Sequence, residues 1–106
     1  MQVQEASGIT ETGTPEDIDS AAQKLKVCGH PVRLRLLCLI ARQGGPCVGE
    51  LWTCLNQPQP VVSQHLAILK EYGIVRSEVR GNRRTYTIVD PFVLALVRNL
   101  ERIQGV

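Results

Sequence analysis

The stretch CVGELWTCLNQPQPVVSQHLAILKEYG, residues 47–73, decides the fold predicted for this chain. Its first part, 47–55, has apolar residues at helical spacing, and 56–60 contains two prolines, which predicts a tight turn. Pro60 is suited to the first position of the next helix, whose apolar residues recur at helical spacing until Gly73 ends it. The stretch therefore predicts two helices joined by a short turn.

Two further helices are predicted upstream of this pair. The first has Thr14 as its N-cap and acidic residues in its first turn, where the helix dipole favours negative charge, and it runs to about Cys28. Gly29 ends it, and Pro31 begins a second helix that stops at Gly44. Both have one apolar and one polar side, as expected of helices packed on a core.

The pattern becomes alternating downstream of the pair. Residues 74–79 and 84–89 are rich in β-branched side chains and flank a Gly81-Asn82 turn, which predicts a hairpin. Asp90 caps a last helix whose apolar surface is wider than one stripe, so one of its faces is expected to pack against another subunit. The predicted fold is mainly α with a β-hairpin wing: a winged helix-turn-helix of five helices and a two-stranded wing.

Charge is distributed unevenly along the chain. Residues 1–20 hold five acidic and no basic side chains, whereas residues 21–106 hold twelve basic and five acidic ones. This positive excess suits a polyanionic partner. Residues 1–13 are polar and lack periodicity, so we expect a flexible acidic tail before a single domain over 14–106.

Composition also limits the setting in which the protein works. No apolar run approaches the roughly 20 residues of a membrane span, and the N-terminus lacks the pattern of a secretion signal, so we expect a cytoplasmic protein that does not contact a membrane. Its four cysteines are then expected to be reduced. Because they form no C-x-x-C pair, a structural zinc site is poorly supported, and no cofactor is expected to be required for folding.

Short polar residues near the start of the second helix of the pair are typical of a helix that enters the DNA major groove. We predict that Gln59, Ser63 and Gln64 read base edges and that Val61 contacts a thymine methyl group. Lys70, which lies off the apolar stripe, is added to this interface. The predicted partner is double-stranded operator DNA.

Three arginines of the hairpin supply the second part of the predicted interface. Arg80, Arg83 and Arg84 surround the turn, where they are expected to reach backbone phosphates or an adjacent minor groove. Such contacts hold position and make affinity depend on salt.

Four segments carry a resemblance to a known family: CGHPVRLRLL (28–37), QPVVSQHL (59–66), GIV (73–75) and RGNRRTY (80–86). Over about residues 20–104 the chain resembles the ArsR/SmtB family of bacterial winged-helix repressors. The resemblance implies a homodimer formed through the first and last helices, repression at an operator and release by a ligand. It also implies that His65 contacts DNA, although locally His65 could equally pack against its neighbours.

Cys47 is the cysteine that the sequence best supports as a sensor. It begins a predicted helix, where the dipole favours the thiolate, and its segment resembles the Cys-Val-Cys-Asp-Leu segment of arsenic and cadmium sensors, with Gly49 replacing the second cysteine. Cys54 lies about 10 Å along the same helix, too far to share an ion with it. We predict As(III), Sb(III) or another thiophilic ion as inducer, bound by Cys47 with Cys54 or Cys28 contributing from the other subunit.

Cys38 supports an alternative sensor. Locally it is a small apolar residue among leucines, yet its position is similar to that of the first cysteine in the family's persulfide-responsive sensors. The last helix, which in those sensors supplies the second cysteine, has none, and it also lacks the Asp and His of the family's zinc site. A redox or persulfide-responsive repressor is the alternative within this fold.

Two other classes of function lie outside DNA-binding repression. A winged-helix protein-interaction module is the alternative outside DNA binding. An enzyme is not expected, because nothing in the sequence brings His30 or His65 beside a cysteine and so small a fold leaves little room for a substrate pocket.

Overall fold

A computed structural model describes residues 15–43 and 48–104. The predicted tail over 1–13, the Thr14 cap and Cys47 lie outside the described residues. The described part contains helices α1 (Pro15–Cys28), α2 (Pro31–Gln43), α3 (Val48–Leu55), α4 (Gln59–Glu71) and α5 (Pro91–Gln104), with strands β1 (Val75–Arg80) and β2 (Arg83–Ile88) between α4 and α5. The prediction of five helices and a two-stranded antiparallel wing is confirmed.

Element boundaries differ from the sequence expectation by one residue in α4 and in both strands of the wing. α4 begins at Gln59, so Pro60 takes its second position; the backbone of Pro58 is extended and serves as the N-cap. In the wing, both strands lie one residue nearer the turn than expected, and Arg80 pairs directly with Arg83. Gly81 has φ of 63° at the first central position, as in a two-residue type II′ turn, which lets the pairing continue up to both arginines.

The core is built from helix faces that meet the base of the wing. Along α4, Val62, Leu66 and Leu69 are buried, at the spacing that places side chains on one helix face. Burial of each such side chain stabilises the fold by about 1.5–3 kcal/mol. The opposite face of α4 is thereby turned outward. Among the described residues, the other fully buried side chains in this core are Leu36, Leu37, Leu51, Ile74, Val93, Val97 and Cys28.

α4 ends in a Schellman motif that turns the chain into β1. Gly73 has φ of 73°, its N–H donates to the carbonyl of Lys70 at 3.0 Å, and the N–H of Ile74 donates to the carbonyl of Leu69 at 3.0 Å. The carbonyl of Ile74 in turn accepts the N–H of Val89 at 2.9 Å. The helix end and both ends of the wing are therefore fixed relative to one another.

Asp90 connects the first and last helices. Its Oδ2 accepts the N–H of Val93 at 2.9 Å, which confirms the predicted cap, and its Oδ1 pairs with Nζ of Lys24 on α1 at 2.7 Å. Burial acts to raise the pKa of Asp90, but hydrogen bonds from Lys24 and from the backbone of Val93 and Phe92, together with the charge of Lys24, outweigh burial and hold that pKa below its usual value. Within residues 15–43 and 48–104, no helix is long and apolar enough to cross a membrane.

Candidate nucleic-acid interface

A three-residue turn joins α3 to α4 and sets the direction of α4. Asn56 has φ of 55°, a left-handed conformation that asparagine tolerates better than most residues. The carbonyl of Pro58 accepts the N–H groups of Val61 and Val62 at 3.1 and 3.2 Å, which closes the first turn of α4. Since Val62 is anchored in the core, the N-terminal end of α4 has a defined position at the surface.

The start of α4 presents polar side chains to solvent. Gln59, Ser63 and Gln64 are exposed, as is Lys70 near the other end of the helix, whereas Val61 is half-buried. The first turn of α4 contains no acidic residue, so its positive dipole end is not neutralised from within the turn. This combination of free amides, a hydroxyl and a helix N-terminus can donate hydrogen bonds to base edges and phosphates.

His65 lies on a different side of α4 from these exposed residues. Its ring is half-buried, 4.5 Å from the ring of His30 between centroids, and its Nδ1 lies 3.3 Å from a guanidinium nitrogen of Arg33. Arg33 also donates from Nε to the carbonyl of Val27 at 2.7 Å. Burial, followed by the charges of His30 and Arg33, lowers the pKa of His65. His65 therefore packs against His30 and Arg33, as one of the two interpretations of its local sequence predicted. Its contact with DNA stays a prediction.

The three arginines that surround the turn of the wing, Arg80, Arg83 and Arg84, are exposed, as is Arg76 earlier on β1. Arg84 donates to Oγ of Ser77 on the neighbouring strand at 3.1 Å. A guanidinium nitrogen of Arg80 lies 3.5 Å from a carboxylate oxygen of Glu78. Because both side chains are solvated, this ion pair contributes little to stability and leaves the guanidinium able to move. The hairpin thus carries positive charge on both sides of its turn.

The three described cysteines differ in exposure. Cys28 is only 1% exposed, so its thiol has the environment of a core side chain. Cys38 is half-buried and Cys54 is exposed. Cys38 on α2 and Cys54 on α3 line the same groove, about 490 Å³ in volume. Sequence reasoning assigned these two cysteines to separate hypotheses, because no local spacing relates residues on two different helices.

Charge and burial keep two of these thiols protonated at neutral pH. Burial raises the pKa of Cys28, as does the nearby Asp90. Burial and Glu101 likewise raise the pKa of Cys38, while Arg42 offsets part of the effect. Among the residues described, no three His, Cys, Asp or Glu side chains come together as a metal site.

Comparisons with known proteins agree with this geometry. HlyU from Vibrio cholerae has a similar structure, with a TM-score of 0.80 and 30% identity over 85% of this chain and 97% of that one. The antimony-specific transcriptional repressor AntR aligns with a TM-score of 0.76 and 34% identity, over 87% of this chain and 84% of that one. Both similarities cover more than four fifths of this chain.

Sequence comparison gives the same relationship. The family described as "Bacterial regulatory protein, arsR family" matches residues 30–77. An uncharacterised HTH-type transcriptional regulator of Methanocaldococcus jannaschii is 38% identical over 88 residues, which cover 83% of this chain and 99% of the relative. The chain belongs to the ArsR/SmtB family of winged helix-turn-helix transcriptional repressors. Members of this family are DNA-binding regulators, which confirms the expectation that the protein is not an enzyme.

Proposed function

We propose that the protein represses transcription by inserting the N-terminal end of α4 into the major groove of its operator while the wing holds the flanking backbone. The observation that carries this proposal is the solvent-facing row of Gln59, Ser63 and Gln64 on a helix whose opposite side is locked into the core. Gln can form a bidentate contact with adenine, and Ser can bond to more than one base. Arg80, Arg83 and Arg84 supply the phosphate contacts.

We further propose that the repressor is a homodimer joined through α1 and α5. Ile18 and Leu25 on α1 lie two helical turns apart, and Phe92 and Ile103 on α5 lie three turns apart, so each pair shares one helix face. All four are exposed in the single chain. A second copy of the chain would cover these apolar surfaces. The ion pair between Lys24 on α1 and Asp90 at the start of α5 helps to fix the two helices relative to each other.

For the inducer we propose a thiol-reactive ligand, with a soft trivalent metalloid of the arsenic or antimony type first. The proposal is supported by the accessible Cys54, by the partly accessible Cys38 and by 34% identity to a repressor whose name states antimony specificity. Cys47 remains a proposed ligand on the strength of its segment. The burial of Cys28 counts against its assignment as a helper.

Binding of the reduced protein to labelled DNA from upstream of its own gene tests the repressor function. Fluorescence anisotropy is expected to show tight binding that weakens steeply with salt, and the double variant Ser63→Ala, Gln64→Ala is expected to lose on the order of tenfold or more in specific affinity. Gln23→Ala, which removes an exposed amide on α1 outside the proposed DNA contacts, is the matched control. Absence of salt-sensitive specific binding would remove the DNA-binding proposal and favour a protein-interaction module.

The same assay tests the class of inducer. Arsenite is expected to release the DNA from the wild-type protein, and Cys47→Ser shows whether Cys47 is one of its ligands. Release by a persulfide or a peroxide, with no effect of arsenite, would instead support the redox alternative. Mass spectrometry would then detect a disulfide or polysulfide.

A further inference from the structure

A cleft of about 530 Å³ lies between α1, α2 and the C-terminal part of α4. Its apolar surface comes from Val27 of α1, from Ile68 of α4 and from the ring of Tyr72, which directly follows α4. Small-molecule sites are concave, mostly apolar and roughly 300–1,000 Å³ in volume, with a few polar groups that orient the ligand. The cleft therefore has the size and the apolar lining of such a site.

The charged groups of the cleft are positive. Lys26 of α1 and Arg33 of α2 line it, and its lining within residues 15–43 and 48–104 contains no aspartate or glutamate. Lys26 is exposed and Arg33 is half-buried. Two positive charges that face the same partly shielded space repel each other, and an anion between them would remove that repulsion. The cleft is thus electrostatically complementary to a negatively charged group.

Arg33 is held in place by partners that carry no negative charge. Its Nε donates to the carbonyl of Val27 at 2.7 Å, and a second guanidinium nitrogen lies 3.3 Å from Nδ1 of His65. These contacts engage two of the five N–H donors of a guanidinium. Because a charge partly removed from water is best stabilised by an opposite charge, a half-buried arginine is suited to bind a carboxylate, sulfonate or phosphate group. The two contacts orient the guanidinium without neutralising it.

We propose that this cleft binds a small organic anion, a single carboxylate or sulfonate group on an apolar body, as an effector of the repressor. The anionic group lies between Lys26 and Arg33, and the apolar body contacts Val27, Ile68 and the exposed ring of Tyr72. The effector role rests on the repressor function proposed above, whereas binding of the anion does not. The site is separate from that of a thiol-reactive inducer, because the described lining contains no cysteine.

The cleft is connected to the helix that is proposed to read DNA. Ile68 lies three residues after His65 on α4, and Tyr72 is the C-cap of that helix. A guanidinium forms a stronger hydrogen bond with an anion than with a neutral imidazole. The ligand therefore draws Arg33 away from His65 and weakens a contact between α2 and α4. Because operator affinity depends on the orientation of α4, we expect the bound anion to lower that affinity.

The proposed dimer leaves the cleft accessible. Ile18 and Leu25 mark the apolar face of α1 that is proposed to contact a second copy. At 3.6 residues per turn, Lys26 and Val27 are turned away from that face, toward α2 and the core. The rim of the cleft, at Ala22, borders the proposed interface.

Anilinonaphthalene sulfonate is the probe, because it carries one sulfonate on an aromatic body and its fluorescence increases in an apolar site. Titration of the reduced full-length protein is expected to show one saturable site per chain. Phenylnaphthylamine has the same aromatic body without the sulfonate, and it should bind on the order of tenfold more weakly, since it forms no charge-assisted hydrogen bond. Inorganic sulfate at the same concentration should not displace the probe.

Two variants test the cationic residues. Arg33→Gln and Lys26→Gln should each weaken probe binding on the order of tenfold, whereas Arg35→Gln, which removes an exposed arginine of α2 outside the cleft, should leave it unchanged. Circular dichroism verifies the fold of Arg33→Gln, and the exposure of Lys26 makes Lys26→Gln safe for folding. Unchanged binding in Lys26→Gln and in folded Arg33→Gln, equal loss in Arg35→Gln, equal affinity for phenylnaphthylamine, or displacement by inorganic sulfate would overturn the proposed site.

An electrophoretic mobility shift of operator DNA tests the effector role. A saturating concentration of anilinonaphthalene sulfonate is expected to lower the operator affinity of the wild type at least severalfold, with a smaller effect on Lys26→Gln at that concentration. Unchanged operator affinity of the wild type would overturn the effector role. Weaker operator binding by Lys26→Gln with unchanged probe binding would instead assign Lys26 to the DNA backbone and overturn the proposal. If the wild type binds no operator, the repressor function fails, and the probe titration still decides whether the cleft binds an organic anion.

Discussion

His65 shows how neighbours change the chemistry of a single residue. Its ring is half-buried and lies next to the ring of His30 and the guanidinium of Arg33. Burial disfavours a proton on His65, and the electrostatic effects of His30 and Arg33 disfavour it further, so the pKa of His65 is lowered. The folded protein consequently favours the neutral form of His65 at neutral pH.

This environment predicts that stability depends on pH. The pKa of His65 is lower in the folded than in the unfolded chain, where it is about 6.5. Neutral His65 therefore contributes its full stabilisation of the fold above about pH 6.5, and this stabilisation is lost as the pH falls through the folded pKa. We expect the free energy of unfolding, measured in urea, to decline less between about pH 7 and pH 5 in His65→Gln than in the wild type. His30→Gln removes one of the causes and should give an intermediate slope. Equal slopes in all three proteins would contradict the assignment.

The two ends of α4 differ in how their backbone groups are satisfied. Its N-terminal end is left open for a partner, whereas its C-terminal end is closed by Gly73 in the left-handed conformation. A methyl group added at Gly73 would meet no atom within 4 Å, so substitution there would cost backbone energy alone.

Gly73→Ala is therefore expected to lower the free energy of unfolding by about 1 kcal/mol or slightly more. Gly73→Asn is the matched variant and should lose less, because asparagine adopts left-handed backbone more readily. Urea denaturation measures both. Equal stability of the alanine variant and the wild type would show that this turn does not hold the left-handed conformation in solution.

The wing is the element whose charge is expected to set the salt dependence of DNA binding. Arg83→Ala should lower the slope of log affinity against log salt by about 1, the value for one lost phosphate contact, while the preference among DNA sequences is retained. Arg98→Ala on α5 removes the same charge from another element and should leave the slope unchanged. A loss of sequence preference in Arg83→Ala would instead indicate base contacts by the wing.

At the scale of the whole molecule, the exposed apolar faces of α1 and α5 predict association. The wild type is expected to sediment with twice the mass of one chain, and Ile103→Asp, with 78% of Ile103 exposed in the single chain, should shift it toward the monomer by placing a charge in the interface. Val79→Asp is the control: it places the same charge at an exposed apolar residue of the wing, and this variant should stay dimeric. A wild-type protein that sediments as a monomer at micromolar concentration would contradict the proposed dimer.

Local rules were sufficient for most of the fold. The change from helical to alternating periodicity after α4, the Asp90 cap and the glycine at the end of α4 each act within a few residues, so the element order could be predicted from the sequence. The one-residue error at Pro60 has a physical source: proline is accepted at both the first and second helical positions, since neither N–H has a partner within the helix.

The sequence by itself therefore determined five helices, the wing and the polar start of α4, because capping, turns and periodicity depend on neighbours along the chain. Only the tertiary structure decided that Cys38 and Cys54 share a groove and that His65 packs against His30 and Arg33. Those encounters join residues on different helices. Their distances depend on how the helices pack against the common core, and no spacing along the chain encodes that packing.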